Sequence, residues 1–215
     1  MEADRRVLRS TKTRRRGWTP ARQERFDRLI GLYGWRSDER TIDVLDVGVG
    51  HGESTVGSAL LQPSLRHVAV ELHLPGLGRL LDMVDQHALH NVEVFHGDAL
   101  DLVEGLAPGQ VAEVRVLFPD PWPKVRHHVR RLIRPDVVER LAEVLPHGGV
   151  VHLATDHAEY AQWMQRVMTS AGRFNGGEVP RPAWRVDSRY SLRAAAAARP
   201  VVDLRYELDR GCSRM

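Results

Sequence analysis

Short apolar runs recur along the chain and alternate with longer segments in which the apolar residues follow helical spacing. Runs such as Val44–Val47 and Val150–Ala154 contain few polar residues, which is typical of strands buried on both faces of a sheet. The predicted strands are 44–47, 67–71, 92–95, 114–118, 150–154 and 201–208.

Helical spacing and capping residues fill the intervals between these strands. Thr19 and Pro20 predict the N-cap and first residue of a helix that Gly34 can end. The other predicted helices open near 53–54, start at 75, and span 135–145 and about 157–168. The sustained alternation of strand and helix predicts an α/β, Rossmann-like fold: a mostly parallel twisted sheet of about seven strands with helices on both faces.

The C-terminal part is less regular. Residues 173–182 contain two glycines and two prolines and are predicted to form a loop. The run of alanines at 194–198 is predicted to be a helical turn or a mobile loop, and it suggests no functional role.

Composition indicates one soluble domain. The chain has 215 residues, of which 42% are hydrophobic and 27% are charged. Its single cysteine, Cys212, excludes an intrachain disulfide and gives no metal-binding pattern. No apolar run approaches the roughly 20 residues that span a bilayer. We therefore expect a cytoplasmic protein that does not act at membranes and binds no metal, with a flexible basic tail over 1–18 and a single domain over 19–215.

The positive charge is concentrated in two places. Residues 1–16 contain seven basic and two acidic residues, and a second basic cluster covers 124–134. Such clusters favour phosphate backbones or other polyanions. The N-terminal cluster is equally consistent with a tail that only improves solubility.

The segment Phe118–Lys124, Phe-Pro-Asp-Pro-Trp-Pro-Lys, follows a predicted strand and contains three prolines. Proline fixes φ and lacks the N–H donor, so this loop is stiff and lies outside a helix or a central strand. Loops at the carboxyl ends of strands are where α/β proteins place their chemistry, although prolines also serve plain turns. Lys124 is one of only two lysines in an arginine-rich chain, which favours a compact point charge at this position.

Gly48, Gly50 and Gly52 stand at alternate positions between the first predicted strand and the next helix. A dinucleotide fingerprint requires its third glycine at position 53, where this chain has a glutamate that would repel a pyrophosphate. The G-x-G-x-G form instead resembles the first motif of methyltransferases that use S-adenosylmethionine, a sulfonium cation that nearby carboxylates would favour.

Three carboxylates stand at or beside the ends of successive strands: Asp46, Glu71 and Asp98. Asp46 could pair with the ammonium group of this cofactor, Glu71 could accept both ribose hydroxyls, and Asp98 could face adenine. The alternative interpretation is that these acids only cap helices.

Together these segments resemble the bacterial tRNA (guanine-N7)-methyltransferases. The matching segments, in family order, are 46–53, 70–78, 97–99, 118–124 with Arg126 and His127, and 154–156. The resemblance implies a class I methyltransferase fold, S-adenosylmethionine as cofactor with S-adenosylhomocysteine as product, and formation of 7-methylguanosine in the variable loop of tRNA. It also implies that Asp120 joins Asp46, Glu71 and Asp98 at the cofactor, and that Lys124 and Asp156 contact the guanosine or its backbone.

Guanine N7 carries no proton, so its methylation needs no general base and depends mainly on positioning. Positive charge passes from sulfur to the guanine, and Asp120 is the predicted catalytic residue because a carboxylate can stabilise the developing cation. Trp122 is expected either to stack on a base or to pack the loop onto the core.

The family's Thr-x-Phe-Glu segment, which helps to hold the guanine, is matched to 184–187. There Trp184 and Asp187 replace threonine and glutamate, and both are predicted to bind the substrate. This difference leaves open a relative that N-methylates a small heteroaromatic metabolite, enclosed by Trp184 and Tyr190. A protein that binds RNA without turnover is disfavoured by the intact carboxylates. A monomer or a homodimer is expected.

Overall fold

The computed structural model describes residues 18–209, so nearly all of the predicted basic tail and Cys212 lie outside the described residues. The seven strands are β1 (Ile42–Val47), β2 (His67–Glu71), β3 (Val92–His96), β4 (Val111–Leu117), β5 (Val150–Thr155), β6 (Phe174–Val179) and β7 (Val202–Leu208). The helices are α1 (Pro20–Tyr33), α2 (Glu53–Leu61), α3 (Leu74–Gln86), α4 (Ala99–Glu104), α5 (Pro135–Val144), α6 (Ala158–Ser170), α7 (Arg189–Ala196) and a 3₁₀ helix over Val125–Arg130.

All seven strands form one sheet in the order β3-β2-β1-β4-β5-β7-β6. β1 to β5 are mutually parallel, whereas β7 runs antiparallel to both of its neighbours, β5 and β6. The chain leaves β1 towards β2 on one side, and β4 lies on the other side. This reversal opens a crevice at the carboxyl ends of the central strands, where α/β sheets bind ligands.

The strands are apolar on both faces because both faces are covered. Helices α1, α2 and α3 pack on one face through residues such as Leu29, Val56 and Leu80. Helices α4, α5 and α6 pack on the other face through residues such as Val103, Leu141 and Met164. The predicted layered fold is therefore confirmed.

The prediction of a loop over 173–182 is wrong for most of that segment, because Phe174–Val179 forms β6. Gly176 makes the pairing possible. A Cβ on Gly176 would lie 2.0 Å from the backbone oxygen of Arg205 in β7, and φ at this residue is +155°. Here glycine marks a close approach of two strands rather than a turn.

The alanines at 194–196 belong to α7, which begins at Arg189 and was not predicted as a full helix. Ser188 caps this helix: its side chain accepts from the Ser191 backbone N–H, and the Ser191 Oγ accepts from the Ser188 backbone N–H at 2.9 Å. This reciprocal cap uses serine where glutamate or glutamine is usual, so the sequence signal is weak.

A buried ion pair fixes the segment that leads into α7. Arg185 donates from Nε and Nη2 to the two carboxylate oxygens of Asp203 in β7, each at 2.6 Å. Nε2 of His152 in β5 lies 3.3 Å from the same carboxylate. Burial alone would raise the pKa of Asp203, but the bonds from His152 and Arg185 outweigh it and lower that pKa. The start of α7 is thereby tied to the carboxyl end of the sheet.

Candidate active site

The glycine loop between β1 and α2 has a left-handed backbone conformation that residues with a side chain rarely adopt. Gly48, Gly50 and Gly52 have φ values of +70°, +61° and +83°. A Cβ on Gly52 would lie 2.4 Å from Leu80 of α3, and a Cβ on Gly76 of α3 would lie 2.4 Å from the Gly50 carbonyl oxygen. The loop is therefore pressed against α3, with its backbone turned towards the crevice.

Glu71, at the end of β2, is held by backbone amides. Its Oε2 accepts from the Gly50 N–H at 2.7 Å, and its Oε1 accepts from the His73 N–H at 2.7 Å. These bonds connect the carboxylate to the glycine loop and fix its orientation. Each carboxylate oxygen retains a second acceptor site for a ligand hydroxyl.

Asp46 is the second-last residue of β1 and is only 4% exposed. Among the residues described, its Oδ2 has no hydrogen-bond partner, and the equally unpartnered Nδ1 of His67 lies 3.6 Å away. A buried carboxylate oxygen without a donor is costly unless a cation or a donor completes it. Asp46 also lines a small pocket of about 20 Å³ together with Val49 and Thr55.

The main cleft has a volume of about 630 Å³ and lies along the carboxyl ends of β1, β2, β3 and β4. Asp98 lines it and also caps α4, because its Oδ1 accepts from the Leu100 N–H at 2.9 Å. Helix capping and a place in the cleft are thus compatible for this residue. The lining residues include Gly48, Gly50, Glu71, Asp98, Asp120, Trp122, Arg130, Leu132, Arg134, Arg189 and Tyr190.

The lining divides by charge along the sheet. We call Gly48, Gly50, Glu71 and Asp98, which follow β1 to β3, the acidic wall. We call Trp122, Arg130, Leu132 and Arg134, which follow β4, the basic wall. A cationic ligand is favoured beside the first wall, and an anionic ligand beside the second.

The proline-rich loop that follows β4 places Asp120, an exposed residue, on the lining of the cleft. Phe118 and Trp122, on either side of Asp120, have φ values of +54° and +44°, which side chains rarely adopt. Such strained residues persist only where the surroundings fix them, and they cluster at functional sites.

Arg131 is the residue that fixes this loop. It is 0% exposed, its Nε donates to the Pro121 carbonyl oxygen at 2.9 Å, and its Nη1 and Nη2 donate to Glu159 of α6 at 3.1 and 2.5 Å. The hydrogen bond from Arg131 lowers the pKa of the Glu159 carboxyl. Arg131 therefore anchors the loop to α6. The prediction that the whole basic run faces a polyanion is wrong at this residue.

The start of α7 reaches the cleft from the opposite side. The ring of Tyr190 is nearly parallel to that of Phe118, with centroids 6.0 Å apart and an interplanar angle of 17°. Arg189 Nη2 donates to the Tyr190 hydroxyl at 3.0 Å, and Arg189 Nη1 lies 2.7–2.8 Å from the ring nitrogens of His51. These contacts join α7 to the glycine loop.

The cleft does not include the four residues predicted to bind substrate. Lys124 is exposed at the start of the 3₁₀ helix, and Asp156 pairs with Arg199 at 2.7 Å. Asp187 is exposed and pairs with Arg181, whose hydrogen bond lowers its pKa.

Trp184 is the fourth of these residues, and it is packed between other side chains. The guanidinium of Arg115 lies 3.5 Å from its ring centroid, and the ring of His152 meets it edge-on at 5.0 Å. The alternative prediction, a small heteroaromatic substrate enclosed by Trp184 and Tyr190, requires both residues in the cleft, and Trp184 does not line it. Tyr190 alone lines the cleft.

Within residues 18–209, no helix is long and apolar enough to cross a membrane, and no cluster of three or more His, Cys, Asp or Glu residues could hold a metal ion. The sheet order with reversed β7, the glycine loop after β1, and the carboxylates after β2 and β3 define a class I S-adenosylmethionine-dependent methyltransferase. Asp46, which lacks a donor, and the oriented carboxylate of Glu71 fit the ammonium and ribose hydroxyls of that cofactor.

Comparison with known proteins identifies the family. Residues 40–204 match the family model described as "Putative methyltransferase". A tRNA (guanine-N(7)-)-methyltransferase of Halorhodospira halophila is 41% identical over 84% of this chain and 79% of its own length. Those of Streptomyces coelicolor and Xanthomonas euvesicatoria are 39% and 37% identical, covering 93% and 98% of this chain and 80% and 67% of their own lengths. The chain belongs to the tRNA (guanine-N7)-methyltransferase family.

Solved structures agree on the fold. An antibiotic-resistance methyltransferase, Kmr, has a TM-score of 0.55 at 16% identity, with 90% of this chain and 95% of that chain covered. A precorrin-6y C5,15-methyltransferase of Geobacter metallireducens has a TM-score of 0.53 at 14% identity, with 86% and 87% covered. These likenesses concern architecture alone.

Sequence reasoning missed Arg189, His51 and the anchoring role of Arg131. The serines at 188 and 191 were the available signal for the start of α7, because a hydroxyl three residues before another can form a reciprocal cap. No comparable local signal exists for Arg131, whose partners Pro121 and Glu159 are distant in sequence.

Proposed function

We propose that this protein methylates N7 of a guanosine in the variable loop of tRNA, in the cytoplasm, with S-adenosylmethionine as the methyl donor. The observation that carries the proposal is the division of one cleft into an acidic wall and a basic wall. The donor is a cation and the nucleic acid is a polyanion, so each wall suits one substrate. The names of the relatives support the same reaction.

The donor is held mainly by the acidic wall and the pocket beside it. Asp46 binds the ammonium group, Glu71 accepts the ribose hydroxyls, and Asp98 lies beside the adenine. Gly48 and Gly50 let the backbone approach the ligand closely. The ammonium and the ribose hydroxyls thereby each have a carboxylate that accepts their hydrogen bonds.

When bound, S-adenosylmethionine supplies the methyl group, which becomes bonded to N7 while the electron pair of the carbon–sulfur bond returns to sulfur. N7 attacks through its lone pair, so no side chain has to remove a proton. Asp120 lines the same cleft and stabilises the positive charge as it moves onto the guanine. The strained loop and its anchor at Arg131 hold Asp120 in place, which is the main catalytic requirement of such a transfer.

The tRNA approaches over the basic wall and the 3₁₀ helix. Lys124, Arg126 and Arg130 are exposed there, and the guanidinium of Arg130 lies 5.0 Å from the ring centroid of Trp122. His127 also faces this surface, and burial together with the charges of its basic neighbours lowers its pKa. Cationic side chains beside a partly buried indole suit phosphates and an unpaired base.

The guanine-holding segment of the family fits four residues later than the sequence first suggested. Ser188 and Tyr190 have the spacing of the family's threonine and phenylalanine, and both line the small pocket next to Asp46. Ser191 then replaces the glutamate. On this register Trp184 and Asp187 lie outside the segment, in agreement with their positions away from the cleft.

Incubation with unmodified tRNA and donor carrying a labelled methyl group, followed by nucleoside analysis, tests the proposal. We expect label in 7-methylguanosine. A matched tRNA with 7-deazaguanosine at the target position lacks the reacting nitrogen and should remain unlabelled. Label in another nucleoside, or none in 7-methylguanosine, would reject the proposed reaction.

A further inference from the structure

Arg189 has an unusual position for a cation. It is the first residue of α7, where the helix dipole disfavours positive charge. It lines the main cleft beside the glycine loop, and a Cβ on Gly50 would lie 3.3 Å from its Nη2. Because a cation at this position is unfavourable for the helix, an interaction outside the helix is needed to explain Arg189.

The guanidinium of Arg189 is incompletely partnered. Its two terminal nitrogens contact His51 and the Tyr190 hydroxyl, and its buried Nε has no partner among residues 18–209. Over the same residues no carboxylate forms an ion pair with it. Burial, followed by the charge of Arg189, lowers the pKa of His51. Arg189 thus has more N–H donors than its acceptors can use, and it lacks a counter-anion.

One group of the methyl donor also lacks a partner. The amino-acid part of S-adenosylmethionine carries an ammonium and a carboxylate, and the acids of the cleft serve the ammonium and the hydroxyls only. Of the other arginines lining the cleft, Arg130 and Arg134 belong to the basic wall, and Arg134 already pairs with Asp136 at 2.8 Å. Arg115 also lies beside the glycine loop, in the small pocket, but it already pairs with Glu113 at 2.7 Å. Among residues 18–209, Arg189 is therefore the arginine beside this loop that has no carboxylate partner.

We propose that Arg189 binds the α-carboxylate of S-adenosylmethionine, exchanging its contact with the His51 imidazole for one with a carboxylate. Binding of the amino-acid part then uses a pair of opposite charges, Asp46 for the ammonium and Arg189 for the carboxylate. The same contact draws the start of α7, with Tyr190, onto the donor. The proposal rests on the identity of the donor and not on tRNA as the acceptor.

Calorimetric titration of the full-length protein tests this role without turnover. Three ligands separate the groups: S-adenosylhomocysteine, the decarboxylated form of S-adenosylmethionine, and 5′-methylthioadenosine, which lacks the amino-acid part. We expect R189A to weaken binding of S-adenosylhomocysteine about 10- to 100-fold, as loss of a charge-assisted hydrogen-bonded pair would. Its affinity for the other two ligands should remain within about 2-fold of the parent protein.

D46N provides the reciprocal measurement, because it should weaken binding of the decarboxylated donor, which R189A spares. R173A is the matched control: Arg173 lies at the opposite edge of the sheet and pairs with Glu139 on the surface. We expect R173A to bind all three ligands like the parent, and thermal unfolding to be similar for R189A and R173A.

Two results would overturn the proposal. If R189A weakened 5′-methylthioadenosine as much as S-adenosylhomocysteine, Arg189 would only shape the cleft through His51 and Tyr190. If R189A left every donor ligand unchanged but weakened tRNA binding, it would contact a phosphate instead. A failed search for 7-methylguanosine would leave this binding test intact, because no acceptor takes part in it.

Discussion

The acidic and basic walls of the cleft are built in different ways. The acidic wall stands at the ends of buried parallel strands, and its Glu71 carboxylate is held by backbone amides at 2.7 Å. The basic wall follows a strained loop whose position depends on the side chain of Arg131 reaching α6. Donor binding therefore rests on the backbone of the sheet, whereas acceptor positioning rests on one long-range ion pair.

Replacing Arg131 should separate the two walls most strongly. R131M removes the contacts to Pro121 and Glu159, and we expect turnover to fall about 100-fold because the loop carrying Asp120 is displaced. Unfolding free energy should fall by about 2 kcal/mol, since Glu159 remains partly solvated. Urea unfolding and initial rates measure these effects.

Affinity for S-adenosylhomocysteine should be nearly unchanged in R131M if the acidic wall is independent of the loop. R173M, which breaks a surface arginine–glutamate pair, serves as control and should lose less than about 0.5 kcal/mol and no activity. A parallel loss of donor affinity in R131M would show that the two walls are not separable.

Asp120 lines the cleft and is the proposed stabiliser of the developing cation, so its replacement should affect chemistry more than acceptor binding. We expect D120N to lower kcat about 10- to 100-fold, with a smaller loss of donor affinity, because its charge acts on the developing cation in a partly solvated site. Single-turnover rates and tRNA binding curves distinguish these effects. An unchanged single-turnover rate would remove Asp120 from the catalytic role.

Charge removal on the acceptor side should act on tRNA alone. For K124A and R130A we expect the slope of log affinity against log salt to shrink by about 0.9 for each lost phosphate contact, with donor affinity retained. Filter binding across a salt series measures the slope, with R173A as the control. If K124A matched R173A, Lys124 would not contact the substrate.

Acid should weaken the anchor of the basic wall. The folded-state pKa of Glu159 is lowered, so its pairing with Arg131 stabilises the protein fully above the ordinary glutamate pKa of about 4.3 and is lost as pH falls below it. We expect the parent to lose up to about 1 kcal/mol more than E159Q between pH 5 and 3. Equal losses in urea unfolding would contradict this assignment.

The sequence predicted those features of the fold and site that depend on local residue patterns. Six of the seven strands and the glycine loop follow from apolar or alternating runs and alternating glycines, and Glu71 and Asp98 lie where strand ends predict them. β6 was missed because the glycines that permit its close pairing also resemble a turn. Arg131 and Arg189 were missed because their contacts depend on residues far along the chain.

The packing of the glycine loop against α3 limits how this enzyme can be redesigned. Any side chain at Gly52 would collide with Leu80, and any side chain at Gly76 would collide with the Gly50 carbonyl oxygen. The glycine loop is therefore packed too tightly against α3 to move away from the donor. Room for a donor with a larger transferable group must come from the other boundary, where Phe118 faces Tyr190. Libraries for cofactor engineering should therefore vary position 190 and leave the loop intact.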